Sequence, residues 1–120
     1  MTIIYSVIAR ESVVLAEHST SSGNFKQISE HILRRIPPGD GKMTYVYDRY
    51  LYHYIAQDGL VFLCLAEDSF GRRIPFAFLL DIQSKFVDKY GDHAKVASTY
   101  EMQEFSKVLD ERMVRFANLF

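Results

Sequence analysis

Leu60-Val61-Phe62-Leu63-Cys64-Leu65-Ala66 is apolar at every position. Side chains on a strand alternate between the two faces of a sheet, so a run of this kind must be covered on both. A second stretch, Thr2 to Arg10, is also apolar on both alternating faces, whereas Val13 to Ser19 and Met43 to Asp48 carry polar residues on one or both sides. The first pair therefore belongs in the middle of a sheet and the second pair at its edges. Arg10-Glu11-Ser12 turns the first strand back into the second, and Asp48-Arg49 and Asp58-Gly59 divide Met43 to Ala66 into three more. Joining the hairpin to the meander through the two doubly apolar strands predicts five antiparallel strands in spatial order 2-1-5-4-3.

Three helical patterns fill the remaining chain. Asn24 precedes a stripe of Phe25, Ile28, Ile32 and Ile36, and Gln27 stands where a reciprocal capping partner is expected. Pro37-Pro38 and Gly39-Asp40-Gly41 stop this helix, because proline cannot continue the hydrogen-bond ladder. Pro75 suits the first turn of a second helix whose core stripe reads Phe76, Leu79, Leu80, Phe86, Val87 and Tyr90 before Gly91. The third repeats Met102, Phe105, Leu109, Met113, Phe116 and Phe120 at intervals of three and four, with Phe116, Leu119 and Phe120 expected at the surface. The order of elements allows a three-layer sandwich, with the lone first helix on one face and two helices on the other.

The bulk properties exclude several classes. A chain of 120 residues is of single-domain size, and residues 1–120 read as one domain. Fourteen basic and fifteen acidic residues give a net charge of −1 without a concentrated cationic face, which argues against nucleic acid as the main partner. The start Met1-Thr2-Ile3-Ile4 lacks a basic leader, position 2 is not glycine, and no apolar run approaches the ~20 residues of a bilayer span. The chain is expected to be soluble and unanchored, and the lone Cys64 fits a reducing compartment.

No catalytic constellation is legible, so the chain reads as a docking module rather than an enzyme, and no cofactor is expected. His18, His31, His53 and His93 fall on different elements, none with a ligand at metal-binding spacing. Asp58, Glu67 and Asp68 read as turn or capping carboxylates. The loop Ser19-Thr20-Ser21-Ser22-Gly23 leads into a helix N-terminus but lacks the lysine of a phosphate-binding loop. Cys64 paired with His53 across adjacent strands would be a nucleophile only in an electropositive, partly exposed setting, and Leu63 and Leu65 argue for core packing instead.

Met43, Tyr45 and Tyr47 are different. Alternation aims all three at one face of an edge strand. One helix cannot cover a five-stranded face spanning ~19 Å between outer strands, so a groove is expected beside it. Its walls would be the third strand and the shoulder of the first helix near Ile28, Ile32 and Ile36, and tyrosine suits such a surface because it offers large area with few rotamers to freeze.

Several motifs, in order, resemble the longin domain of long vesicle-associated membrane proteins of the endosomal or vacuolar R-SNARE branch. They are Ile8-Ala9-Arg10 with Leu15-Ala16, Gly23-Asn24-Phe25, Ile36-Pro37, Lys42-Met43-Thr44-Tyr45, and Tyr52-His53-Tyr54 with Asp58-Gly59. Arg73-Ile74-Pro75-Phe76-Ala77-Phe78-Leu79, Phe86 to Gly91, and Glu104-Phe105 with Val108-Leu109 continue the match. The resemblance implies an α+β, profilin-like longin fold without enzymatic activity. It also implies a regulatory and sorting role in vesicle transport and membrane fusion, on the cytoplasmic face of endosomal, vacuolar or vesicle membranes. The implied partners are a SNARE motif, in cis or in trans, together with vesicle-coat adaptors and trafficking regulators. That role maps onto Met43 and Tyr45, and further onto Ile28, Ile32 and Ile36. No heptad segment with a central arginine and no membrane anchor follows Phe120, so the chain is expected to be the N-terminal part of a longer R-SNARE. The rival expectations are a small longin-fold subunit of a coat or tethering complex, and a small-molecule sensor or enzyme with a pocket in the core.

Overall fold

A computed structural model describes residues 2–119. The five strands are β1 (Ile3–Arg10), β2 (Val13–Ser19), β3 (Gly41–Tyr47), β4 (Tyr50–Gln57) and β5 (Leu60–Glu67). They form one antiparallel sheet in the order β2-β1-β5-β4-β3. The doubly apolar strands lie at the centre, where Val7 faces Leu63 and Ile8 faces Phe62. Asp58 and Gly59 both take positive φ, 53° and 81°, which matches the twist a two-residue hairpin turn needs.

The helices are α1 (Phe25–Arg35), α2 (Arg73–Tyr90) and α3 (Ser106–Ala117). On one face α1 lies over β5, where Ile32 and Leu33 pack with Val7, Tyr52, Leu63 and Leu65. On the other, α2 and α3 bury Phe78, Leu79, Ile82, Phe86, Leu109 and Met113 against Ile8, Phe62 and Cys64. Phe86 meets Phe62 and Phe105 edge-to-face, with ring centroids 6.0 and 5.2 Å apart, the geometry aromatic quadrupoles favour. Phe62, Phe78, Phe86 and Phe105 are fully buried in this layer.

Several local expectations are corrected. The capping box at α1 does not form: Asn24 sits at φ −90°, ψ 23°, outside the extended conformation a side-chain cap requires, and only its carbonyl is used, by the Ile28 N–H at 3.2 Å. Ser29 and Leu33, rather than Ile28, are buried beneath α1 alongside Ile32. Leu80 and Val87 of α2 are not core residues: Leu80 lies about 200° round the helix from Phe78, and both side chains are exposed. Phe76 and Tyr90 are half-buried, and the core stripe is Ile74, Pro75, Phe78, Leu79, Ile82 and Phe86.

The helical repeat expected from Met102 begins late. The Tyr100 and Met102 N–H groups donate to the carbonyls of Val14 and Leu15 at 2.7 and 3.2 Å. Backbone spent on the outer edge of β2 cannot also close helical turns, so Met102 and Phe105 reach the core before α3 starts at Ser106. Phe116, expected at the surface, is half-buried edge-on to Phe78 at 5.9 Å. Leu119 is exposed, and Phe120 lies outside the described residues.

Candidate functional site: a cleft between α1 and the edge strand β3

β3 pairs only with β4, so its outer backbone groups face no strand, whereas the outer edge of β2 is met by the Tyr100 and Met102 N–H groups. In register, Met43, Tyr45 and Tyr47 stand opposite Tyr54, Tyr52 and Tyr50. The pleat therefore aims all three at the face that carries α1. α1 sits over the sheet centre and stops short of this edge, leaving a cleft of about 370 Å³. Ile28, Ile32, Tyr45 and Tyr47 line it, joined by Gln27, His31, Arg35 and Val46.

Two residues of the expected groove stand elsewhere. Met43 shares the face and is 44% exposed, but lies beyond the lining. Ile36 turns to a separate cleft of about 320 Å³ at the far end of α1, beside Leu33, Pro37 and Pro38. The sequence reading missed Gln27, His31 and Arg35, which recur every four residues and form the stripe next to Ile28 and Ile32.

The aromatic residues of the cleft differ in exposure. Tyr45 is half-buried and stacks on Tyr54, with centroids 6.1 Å apart and planes 27° from parallel. Burial, then the neighbouring Tyr45, pushes the Tyr54 hydroxyl above its ordinary pKa. Tyr47, by contrast, is 53% exposed. No carboxylate lines the cleft, while Arg35 and His31 stand on its helical wall. The surface can accept apolar or aromatic anchors, tolerates a negative flank, and offers an open strand edge to an extended segment.

The other candidate groups are committed to structure. Cys64 and His53 are cross-strand neighbours, yet both are buried. Burial pushes the thiol pKa up, and burial followed by the charge of Arg72 pushes His53 down to about 4. A neutral thiol beside a neutral imidazole is not an activated nucleophile. His53 Nδ1 is hydrogen-bonded to Thr44 Oγ1 at 2.8 Å, its ring meets Phe76 at 5.1 Å, and Nε2 has no partner among the described residues. His18 pairs with Asp110 and His93 with Glu101. Among the described residues no three His, Cys, Asp or Glu side chains converge as a metal site would require.

Glu17 of β2 is the hub of a polar network behind the N-terminus of α1. It accepts the hydroxyls of Tyr5 and Tyr100, the latter at 2.7 Å, and pairs with Lys26 at 3.3 Å. Gln103 completes the strap by accepting from the Glu17 N–H and donating to its carbonyl, each at 3.0 Å. The first turn of α1, one wall of the cleft, is thereby tied to the α2–α3 connection.

Comparison with known proteins agrees with this architecture. The family model described as Longin, regulated-SNARE-like domain, matches residues 15–109. The chain is 49% identical to vesicle-associated membrane protein 7B of Dictyostelium discoideum over 119 residues, covering 98% of this chain and 46% of that protein. It is 46% identical to vesicle-associated membrane protein 712 of Arabidopsis thaliana, covering 98% and 55%. To vesicle-associated membrane protein 7 of Homo sapiens the figures are 44% over 110 residues, 91% and 50%. The chain spans about half the length of these curated relatives.

Proposed function

This chain belongs to the longin family of regulated-SNARE-like domains, and we propose that it is the N-terminal regulatory and sorting part of an R-SNARE acting in vesicle transport and membrane fusion. The similarity to three vesicle-associated membrane proteins, each about twice as long, supports reading it as one part of a longer chain. No helix among the described residues is long and apolar enough to cross a membrane, so the reading assigns anchorage to a segment beyond this domain. The domain works without catalysis or a cofactor, on the cytoplasmic face of endosomal, vacuolar or vesicle membranes.

The cleft between α1 and β3 carries the reading. It receives apolar anchors from the SNARE motif, closing the protein on itself, or from a coat adaptor or trafficking regulator that competes for the same surface. Tyr45, fixed by stacking and half-exposed, is the principal anchor point. Ile28, Ile32 and Tyr47 complete the wall, and Met43 and Ile36 extend the contact toward the Gly41 end of β3. Arg35 favours a segment with acidic flanking residues.

The test is an NMR titration of this domain with the SNARE-motif segment of the same organism's R-SNARE. Shifts should centre on Ile28, Ile32, Tyr45 and Tyr47. Tyr45→Ser should weaken binding at least tenfold, about 1.4 kcal/mol, and Met43→Ser by less, with the amide spectrum otherwise folded. Unchanged affinity in Tyr45→Ser would remove the cleft from the account.

A further inference from the structure

On the sheet face opposite α1 lies a trough that neither the cleft nor the core explains. α2 turns Leu80 and Val87 outward, 58% and 45% exposed. They are seven residues apart, so about 10 Å along one side of the helix. The exposed Ser84 stands between them, small enough to let a neighbouring side chain approach. Across from this seam, Gln57 at the end of β4 accepts a hydrogen bond from Gln83 Nε2 at 2.7 Å. Two adjoining clefts of about 450 and 280 Å³ share Leu80 and Gln57 and together run the length of the seam. The half-buried Phe76 closes one end beneath the Lys42 ammonium, 5.7 Å from its ring.

The trough is bordered mainly by carboxylates. Asp40, Asp58, Asp88 and Asp92 line it, against Lys42 and Lys95. Lys95 is already shared between Asp58 at 3.0 Å and Asp92 at 3.5 Å. Asp88 makes no ion pair among the described residues. A seam with aliphatic side chains at i and i+7, a small serine at i+4 and an acidic border complements a helix whose own anchors repeat every seven residues and whose flanks are basic. It has the wrong sign for an anionic lipid surface.

We propose that this trough docks an amphipathic helix of a partner protein, two aliphatic anchors resting over Leu80 and Val87 and Lys or Arg side chains reaching Asp88, Asp92 and Asp58. The site lies across the sheet from the α1 cleft, so both surfaces can be occupied at once.

The probe is a synthetic amphipathic helix with leucines at seven-residue spacing flanked by lysines, beside the same peptide with glutamates. In a titration of the isotope-labelled domain, the lysine peptide should shift the amides of Leu80, Ser84, Val87 and Asp88. Leu80→Ser and Asp88→Lys, both at exposed positions, should each weaken it at least tenfold while unfolding at the wild-type temperature. The proposal is overturned by the absence of binding, by shifts confined to α1 and β3, by equal binding of the glutamate peptide, or by unchanged affinity in both variants. Flotation of the domain with phosphatidylserine vesicles, lost in the same variants, would assign the face to lipid and equally overturn it.

Discussion

Lowering the pH from 7.5 to 5.0 should destabilise this domain through one side chain, His53. The imidazole is fully buried between the sheet and α2, bonded to Thr44 through Nδ1 and edge-on to Phe76, with Nε2 facing no acceptor among the described residues. Charging it would bury a cation with one N–H unsatisfied and place it in the field of Arg72. Its folded-state pKa is accordingly pushed down to about 4 from 6.5. The unfolded chain takes up this proton near pH 6.5 and the folded chain only near pH 4, so between those values the unfolded state binds more protons. The stabilisation is complete above the unfolded value and is lost as pH falls. At 1.36 kcal/mol per pH unit the loss is about 2 kcal/mol at pH 5 and about 3 kcal/mol near pH 4. Asp81, held below its ordinary pKa by Lys85 and Arg112 despite burial, and Glu101, held down by Ser98 and His93, lose their contributions only at lower pH. Urea unfolding reads the window directly: with a slope of about 2 kcal/mol per M, the midpoint should fall by about 1 M. His53→Phe keeps an aromatic ring and removes the proton site, so its midpoint should move much less. Equal losses in wild type and His53→Phe would refute the assignment.

Three further substitutions test other parts of the structure. Glu17→Ala leaves the largely buried Tyr5 hydroxyl without its acceptor and frees Tyr100 and Lys26; it should cost about 1–3 kcal/mol, and an unchanged melting temperature would show that the network is ornamental. Asn24→Ala should change stability by less than about 0.5 kcal/mol, because the side chain makes no cap hydrogen bond, whereas a working cap would cost about 1 kcal/mol. Gly59→Ala should destabilise by about 1 kcal/mol through its φ of +81° alone, since nothing lies within 4 Å of an added Cβ; denaturant unfolding that shows no loss would exclude a backbone requirement there.

The sheet was legible because its signals are redundant. Leu60 to Ala66 is apolar on both faces, and Asp58-Gly59 offers the one turn chemistry that tolerates two positive φ values in succession. The cleft was half legible: alternation placed Tyr45 and Tyr47 on the correct face, and helical spacing chose Ile28 and Ile32. Arg35, His31 and Gln27 escaped because polar side chains on a helix announce no partner, and only the position of α1 over β5 brings them to the rim. The α2 stripe failed for a geometric reason. Phe76, Leu79, Leu80, Phe86 and Val87 are all apolar, but a single helix can turn only part of that set toward one sheet. The late start of α3 was invisible for another reason, since Met102 and Phe105 keep helical spacing while the Tyr100 and Met102 N–H groups are held by β2.

The adjacency of β1 and β5 also dictates a timetable. Val7 cannot meet Leu63 until nearly everything between them has left the ribosome, and a lone two-stranded hairpin is marginal in water. The emerging β1–β2 unit therefore waits with both apolar faces uncovered, and α1 has no floor to settle on until β5 arrives. Closing that long loop is the entropic bottleneck of the whole topology. The nascent chain consequently exposes most apolar strand surface while residues 20–60 are being made, before β5 can close the sheet.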